Sequence, residues 1–139
     1  MTLRDEVTLL QDLPPFASLE PAKLKLLAFA SQQQQFEPGD ALIRQGEKAA
    51  ALYVILAGTV EVSIASEEAS RVVRELDPPA FVGEFAILNQ SLGTATVAAK
   101  TEVQALEIER DVLLRVIEDV PELGQGLRRH METAGYVFE

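Results

Sequence analysis

The chain contains no cysteine and only one histidine, His130, among its 139 residues. Without cysteine it forms neither a disulfide nor a zinc site built on thiolates. Metal-dependent β-barrel enzymes need two or three histidines with a carboxylate, so one histidine on a predicted helix is interpreted as a partly exposed surface residue. A Gly-x-Ser-x-Gly motif and a Walker loop are also missing. We expect no metal site and no catalysis.

Basic residues are scarce, with 12 Lys and Arg against 22 Asp and Glu and a net charge of −10. Such a surface repels polyanions, and the basic residues are scattered along the chain instead of forming a stripe. The adjacent pair Arg128 and Arg129 is interpreted as a solvated helix face. We therefore expect no binding to nucleic acid.

Long hydrophobic runs are absent as well. The longest, such as residues 49–57, are far shorter than the ~20 residues that a membrane helix needs. The first residues lack the apolar segment of a signal peptide. These features predict no membrane span and a cytoplasmic location.

The first 35 residues have helical spacing. Apolar side chains in residues 3–13 form a partial stripe that stops at Pro14 and Pro15, and a second short helix is predicted from Pro21 to just before Ser31. The polar run Gln32 to Gln35 is interpreted as the lead-in to a strand. Residues 1–35 are thus predicted to form N-terminal helices.

From Phe36 to Ile108 the apolar period changes to two. Val60, Val62 and Ile64 alternate with polar residues, as in a strand that is half buried on a core. Turn residues recur at short intervals and separate further predicted strands at 41–43, 52–56, 71–76, 94–99 and 102–108. Short strands at this spacing indicate a sandwich or a rolled barrel.

Residues 109–139 return to helical spacing, with a bend at Pro121. The apolar positions are Val112, Leu113, Val116, Ile117, Leu123, Leu127, Met131 and Ala134. Gly124 and Gly126 each weaken the last helix by about 1 kcal/mol relative to alanine. That helix therefore needs a partner surface, either its own barrel or a second subunit. The length suits one domain over residues 1–139.

The segment from Phe81 to Leu88, followed by Gly93 to Val97, has the pattern of a ligand-binding cassette. A strand ends in Gly83 and Glu84, a short helical turn follows, and small residues begin the next strand. This arrangement directs backbone N–H groups and one carboxylate into a common pocket, which suits a phosphate and a sugar hydroxyl.

The cassette resembles the phosphate-binding cassette of cyclic nucleotide-binding domains, as in the bacterial catabolite activator family. Six segments follow the order of that family's signatures, at residues 10–16, 36–40, 45–47, 52–55, 58–62 and 81–97. The resemblance implies a mainly β fold, an eight-stranded, jelly-roll-like β-roll flanked by short N-terminal and C-terminal α-helices. It also implies cAMP or cGMP as the possible ligand and no other cofactor.

The resemblance implies a role for each cassette residue. Glu84 would accept a hydrogen bond from the ribose 2′-hydroxyl, and the turn at Phe85 and Ala86 would offer amides to the cyclic phosphate. Thr94 matches a residue that contacts phosphate, Ala95 allows close backbone approach, and Gly83 has a backbone role. From the residues alone, alternatives remain: Glu84 at the surface, Phe85 as packing, and Thr94 as an ordinary strand residue.

Gly93 occupies the position at which the family has its phosphate-pairing arginine. Loss of such a buried pair costs about 2–5 kcal/mol, or roughly 30-fold to several thousand-fold in affinity. Arg44, Arg71 and Arg74 lie on neighbouring predicted strands and are the candidates to replace it. The departure predicts weak or absent affinity for cAMP and cGMP.

These features together predict a free-standing regulatory or sensory domain. No helix-turn-helix follows the last predicted helix, so we expect the signal to pass through contact with a protein partner that the sequence does not identify. A homodimer through the C-terminal helix is a further possibility. The alternatives are a degenerate β-roll that serves as a protein-interaction adaptor or binds a different small ligand, and a purely structural remnant.

Overall fold

The computed structural model describes the backbone of residues 3–134 and the side chains of residues 5–130. The predictions for residues 1–2 and 135–139, and the apolar contacts expected of Met131 and Ala134, lie outside the described residues. The helices are α1 (Leu3–Gln11), α2 (Pro21–Ala30), α3 (Glu84–Leu88), α4 (Arg110–Asp119) and α5 (Pro121–Ala134), with a 3₁₀ turn at Phe16–Ser18. The strands are β1 (Gln32–Phe36), β2 (Ala41–Ile43), β3 (Ala51–Ala57), β4 (Val60–Ala65), β5 (Ser70–Leu76), β6 (Ala80–Val82), β7 (Thr96–Ala99) and β8 (Val103–Glu109).

The strands form two four-stranded antiparallel sheets, in the orders β1-β8-β3-β6 and β2-β7-β4-β5. One apolar cluster, which includes Tyr53, Val62 and Val97, joins the inner faces of both sheets. The helices flank this roll at its N-terminal and C-terminal ends. The predicted mainly β, eight-stranded roll with flanking helices is confirmed.

Strand β3 belongs to two cores at once. Tyr53 and Ile55 point into the roll, whereas Leu52 and Val54 point out to the helices. Because successive side chains on a strand alternate between faces, a strand that is covered on both sides has a continuous apolar sequence. The second core contains Leu10 and Phe16 from the N-terminal segment and Leu113, Leu123 and Leu127 from α4 and α5.

Two strand starts differ from the sequence-based boundaries by more than one residue. Strand β1 starts at Gln32, before the expected start of the roll at Phe36, because its polar residues pair through the backbone with β8, in the register Gln32 to Glu107. A ladder of backbone hydrogen bonds does not require apolar side chains. Strand β7 starts at Thr96 instead of Thr94, because Gly93 pairs with the loop before β3.

Helix α5 packs against its own chain. Leu123 and Leu127 are fully buried, so the partner surface that its glycines require is supplied within the domain. A Cβ at Gly126 would lie 2.5 Å from Cβ of Pro15, and one at Gly124 would lie 3.0 Å from Cγ2 of Ile117. These glycines thus permit close packing. Among the described helices, none combines the length and apolar character needed to cross a membrane.

Candidate ligand-binding site

A cavity of about 50 Å³ lies beside α3, where β6 passes into that helix. All the predicted cassette residues line it, namely Gly83, Glu84, Phe85, Ala86, Gly93, Thr94 and Ala95. The remaining wall is aliphatic and consists of Ile43, Val62, Leu76, Val82 and Val97. This volume exceeds the ~10–15 Å³ that one ordered water requires.

Gly83 sets the backbone direction between β6 and α3 at the edge of this cavity. Its φ is +105°, and a Cβ would lie 2.7 Å from the carbonyl oxygen of Ala51. An L-residue is strained at this φ and would also collide with β3. The left-handed conformation lets the strand end abruptly and α3 begin at Glu84.

Glu84 is 1% exposed and is the one charged side chain that is buried among residues 5–130. The alternative that it lies at the surface is therefore wrong. It lies in the first turn of α3, where the helix dipole favours a negative charge. The cavity thus contains a buried hydrogen-bond acceptor.

The other residues of α3 mainly contribute to hydrophobic packing. Ile87 and Leu88 are buried in the core between the roll and the helices, with Phe85 partly buried against it. Their side chains pack toward the helices, and Phe85 and Ala86 of the same turn also line the cavity. The segment thus contributes both to the core and to the cavity wall.

Gly93 is held by two backbone hydrogen bonds. Its N–H donates to the carbonyl of Glu47, and its carbonyl accepts from the N–H of Gly46, both at 2.8 Å. A Cβ at this position would lie 2.9 Å from the carbonyl oxygen of Arg44 and 3.3 Å from that of Glu47. The position at which the arginine was expected is therefore packed against a backbone loop.

Thr94 and Ala95 complete this wall, and the next residue fixes the loop. Thr94 is half-buried and Ala95 is 7% exposed. The hydroxyl of Thr96 accepts a hydrogen bond of 3.0 Å from the N–H of Gln45. The loop between β2 and β3 is thus tied to this segment at two points, Gly93 and Thr96.

Among the described residues, no arginine or lysine lines the cavity. The side chain of Arg44 is 67% exposed, with its Nε 3.8 Å from the carboxylate of Glu47, and Arg71 is exposed. Arg74 lines a different cavity of about 250 Å³, together with His130. None of the three proposed substitutes reaches the cassette cavity. Within residues 5–130, no cluster of three acidic or histidine side chains could hold a metal ion.

Helix α5 contacts the cassette from outside. Nη2 of Arg128 donates a hydrogen bond of 3.2 Å to the carbonyl of Leu88 at the end of α3. The His130 ring lies 4.5 Å from the ring of Phe81, centroid to centroid. Burial, and secondarily the charge of Arg74, lowers the pKa of His130. His130 is half-buried, as expected, but its neighbours could not be predicted because the sequence does not fix the rotation of α5.

The family model of the cyclic nucleotide-binding domain matches residues 33–120. A cGMP-dependent protein kinase of Caenorhabditis briggsae is 32% identical over 111 residues, which cover 78% of this chain and 15% of the kinase. The chain thus spans a small part of that relative.

Two solved structures are similar over nearly the whole chain. The regulatory subunit of a cAMP-independent protein kinase A from Trypanosoma brucei has a TM-score of 0.87 at 28% identity and covers 98% of this chain and 49% of its own. A mutant of that subunit with three substitutions, one of which introduces an arginine, is bound to cAMP in the A site. Its TM-score is 0.81 at 30% identity, over 93% of this chain and 47% of its own.

Proposed function

Because the chain belongs to the cyclic nucleotide-binding domain family, we propose that it is a regulatory domain whose cassette has weak or absent affinity for cAMP and cGMP. The proposed ligand-contacting residues are Gly83, Glu84, Phe85, Ala86, Gly93, Thr94 and Ala95. We further propose that residues 1–139 act as one non-catalytic unit in the cytoplasm, without binding nucleic acid.

One observation carries this proposal: the cassette cavity contains a buried carboxylate and, among the described residues, no cationic side chain. A cyclic phosphate carries a full negative charge. Moving it from water into an apolar cavity without a cation is costly. Amides of the α3 turn offset only part of this cost.

The trypanosome subunit supports the same argument. It is described as cAMP-independent, and cAMP is bound by a mutant that gains an arginine among three substitutions. In this chain Gly93 provides no cation. Similarity over 98% of the chain supports comparable behaviour here.

An uncharged ligand with hydroxyl groups is the second candidate, and the burial of Glu84 favours it. A buried carboxylate accepts hydrogen bonds from hydroxyl donors, and the aliphatic wall suits the apolar part of such a molecule. An uncharged, hydroxyl-bearing molecule is thus our proposal for the different small ligand of the alternative function.

Signalling through protein contacts is supported by an exposed apolar pair on α2. Leu26 is 47% exposed and Phe29 is 78% exposed, three residues apart on one helix face. This pair also fits the adaptor alternative. For a homodimer through α5, Leu123 and Leu127 are already buried in the chain's own core, so other positions of α5 would have to form that contact.

Calorimetric titration with cAMP, cGMP and adenosine tests the proposal, since adenosine keeps the base and ribose of cAMP without the charge. We expect no saturable binding of either cyclic nucleotide below about 100 μM. Binding of adenosine that is lost in Glu84→Gln would favour the uncharged-ligand candidate. Binding of cAMP or cGMP to the unaltered protein below that limit would overturn the proposal.

A further inference from the structure

Four of the eight described strands lie at the edge of a sheet, namely β1, β2, β5 and β6. An edge strand presents a row of backbone N–H and C=O groups on the side where no neighbouring strand pairs with it, and another chain can pair there. Proteins limit such pairing with short edge strands, charged side chains, prolines and β-bulges. The four edges of this domain differ in how many of these features they have.

Three of the edges are protected. Strands β2 and β6 have three residues each, the register of β2 with β7 shifts once, and Pro78 and Pro79 directly precede β6. Strand β5 is longer, but it contains three charged side chains, and its register with β4 shifts between Val62 and Ser63. Because such shifts interrupt the ladder and bend the strand, they oppose the addition of a further strand.

Strand β1 has none of these protections. It is five residues long, four of which are glutamine, and contains neither a charged residue nor a proline. Its antiparallel pairing with β8 continues over all five residues without a shift. Gln32, Gln33 and Gln35 are exposed. In a chain whose net charge is −10, β1 is thus a regular and uncharged edge.

The glutamine run of β1 is complementary to itself. A glutamine amide both donates and accepts, so two such runs can exchange side-chain hydrogen bonds when they face each other. In a two-fold antiparallel pairing of two copies centred on Gln34, Gln33 of each copy would lie opposite Gln35 of the other. Glu37, the first charged residue after the strand, would lie opposite Ser31. Like charges would therefore not face each other across this pairing, although each copy is acidic.

An exposed aromatic side chain lies next to the start of this edge in the sequence. Phe29 is 78% exposed, and two residues separate it from β1. The N–H and the hydroxyl of Ser31 both donate to the carbonyl of Ala28, at 3.2 and 2.6 Å, which fixes the passage from α2 into β1. Burial of Phe29 against a second copy would add hydrophobic stabilisation to the backbone hydrogen bonds of the paired strands.

We propose that two copies of this chain associate through β1, antiparallel and about a two-fold axis. The sheets β1-β8-β3-β6 of the two copies then form one continuous sheet, with the two β1 strands at its centre. Because one short strand from each copy forms a small interface, the association is weak and reversible. It differs from a homodimer through α5 and does not depend on nucleotide binding.

Sedimentation equilibrium of the unaltered protein, from about 10 μM to about 2 mM, tests the proposal. We expect a reversible equilibrium between monomer and dimer with a Kd below about 1 mM. Amide hydrogen exchange at the same concentrations should slow in β1 as the dimer forms, because N–H groups at the edge become hydrogen-bonded. A monomer at all concentrations, or a dimer without slower exchange in β1, would overturn the proposal.

Charged variants assign the contact to this edge. Gln33→Lys/Gln35→Lys should weaken association by about tenfold, because like charges opposite each other destabilise paired strands. Gln33→Glu/Gln35→Glu should do the same, whereas an equimolar mixture of the two variants should associate, since lysine then faces glutamate. Ser70→Lys/Val72→Lys is the matched control, because it adds the same two charges at exposed positions of the protected edge β5. It should associate as the unaltered protein does.

The sedimentation of the unaltered protein is decisive even if a variant fails to fold. Equal Kd values for the two lysine variants would overturn the proposal, because the copies would then meet at another surface, such as α2 or α5. Failure of the two folded β1 variants to associate when mixed would do the same, since charge complementarity across the strands would have no effect.

Discussion

The N–H of Gly93 and the carbonyl of Glu47 form a backbone hydrogen bond of 2.8 Å that ties the cassette to the loop between β2 and β3. The bond brings the two segments so close that a Cβ at residue 93 would meet the carbonyl of Arg44 at 2.9 Å. Gly93 thus provides no charge and also leaves little room for a side chain. The carbonyl groups of Arg44 and Glu47 lie next to the space that a Cβ at residue 93 would occupy.

We expect Gly93→Ala to destabilise the fold by about 1–3 kcal/mol, because the loop carbonyls must move to admit the methyl group. Urea unfolding of this variant checks the value. Leu92→Ala is the control, since Leu92 is 57% exposed and adjacent. An unchanged urea midpoint for Gly93→Ala would show that the loop moves to admit the methyl group without loss of stability. Gly93→Arg carries the same strain and is therefore a poor way to restore a cation.

Gly83 and Gly39 form a matched pair of glycines. Both have positive φ, +105° and +95°, but a Cβ at Gly83 lies 2.7 Å from the carbonyl of Ala51 while nothing lies within 4 Å of one at Gly39. We expect Gly83→Ala to cost about 1–3 kcal/mol more than Gly39→Ala in unfolding free energy. Equal costs would mean that φ alone, and not the contact with β3, requires the glycine.

The hydrogen bond from Arg128 to the carbonyl of Leu88 links α5 to the end of α3. We expect Arg128→Met to reduce stability by about 1 kcal/mol and to speed hydrogen exchange in α3. Arg115→Met, at an exposed site on α4, is the control and should change neither. Unaltered exchange in α3 of Arg128→Met would show that this contact does not hold the cassette.

The lowered pKa of His130 makes stability depend on pH. Burial and Arg74 reduce the pKa of the native state below the ordinary value of 6.5, so the unfolded chain takes up the proton first as the pH falls. Unfolding free energy should therefore decrease as the pH drops through 6.5 toward the native pKa. His130→Gln removes this contribution, and the stability of the unaltered protein relative to that variant should fall as the pH is lowered through 6.5. A constant difference would contradict the assignment.

Much of the roll could be predicted from the sequence because local patterns determine it. The alternation of Val60, Val62 and Ile64 gave strand β4, and Pro121 marked the break between α4 and α5. The polar run from Gln32 was harder to assign as a strand, because it is a strand through pairing with β8 and not through burial of its side chains. Its start could be placed only within a few residues.

The cassette residues could be named in advance, but their environments could not. A Gly-Glu pair at a strand end does not say whether the carboxylate is buried, and Glu84 proved to be 1% exposed. The tie between Gly93 and Glu47 joins residues 46 positions apart, and Arg74 meets His130 across strands and helices. Such contacts depend on how elements pack, which periodicity does not encode.

The central claim is that nucleotide binding is limited by the missing cation in the cassette cavity. Thr94 is a position at which a cation can be introduced. Thr94 lines the cavity, is half-buried and already has a Cβ, so an arginine there avoids the collision at Gly93. Thr94→Gln is the control because it adds a polar side chain with no charge. The charge should provide interactions that the unaltered protein lacks.

The most direct measurement is calorimetric titration of cAMP into the unaltered protein, Thr94→Arg and Thr94→Gln. We expect Thr94→Arg to bind cAMP at least about tenfold more tightly than the other two, which should show no saturable heat below about 100 μM. Tight binding by the unaltered protein, or equal affinity in all three, would contradict the claim that the missing positive charge limits nucleotide binding.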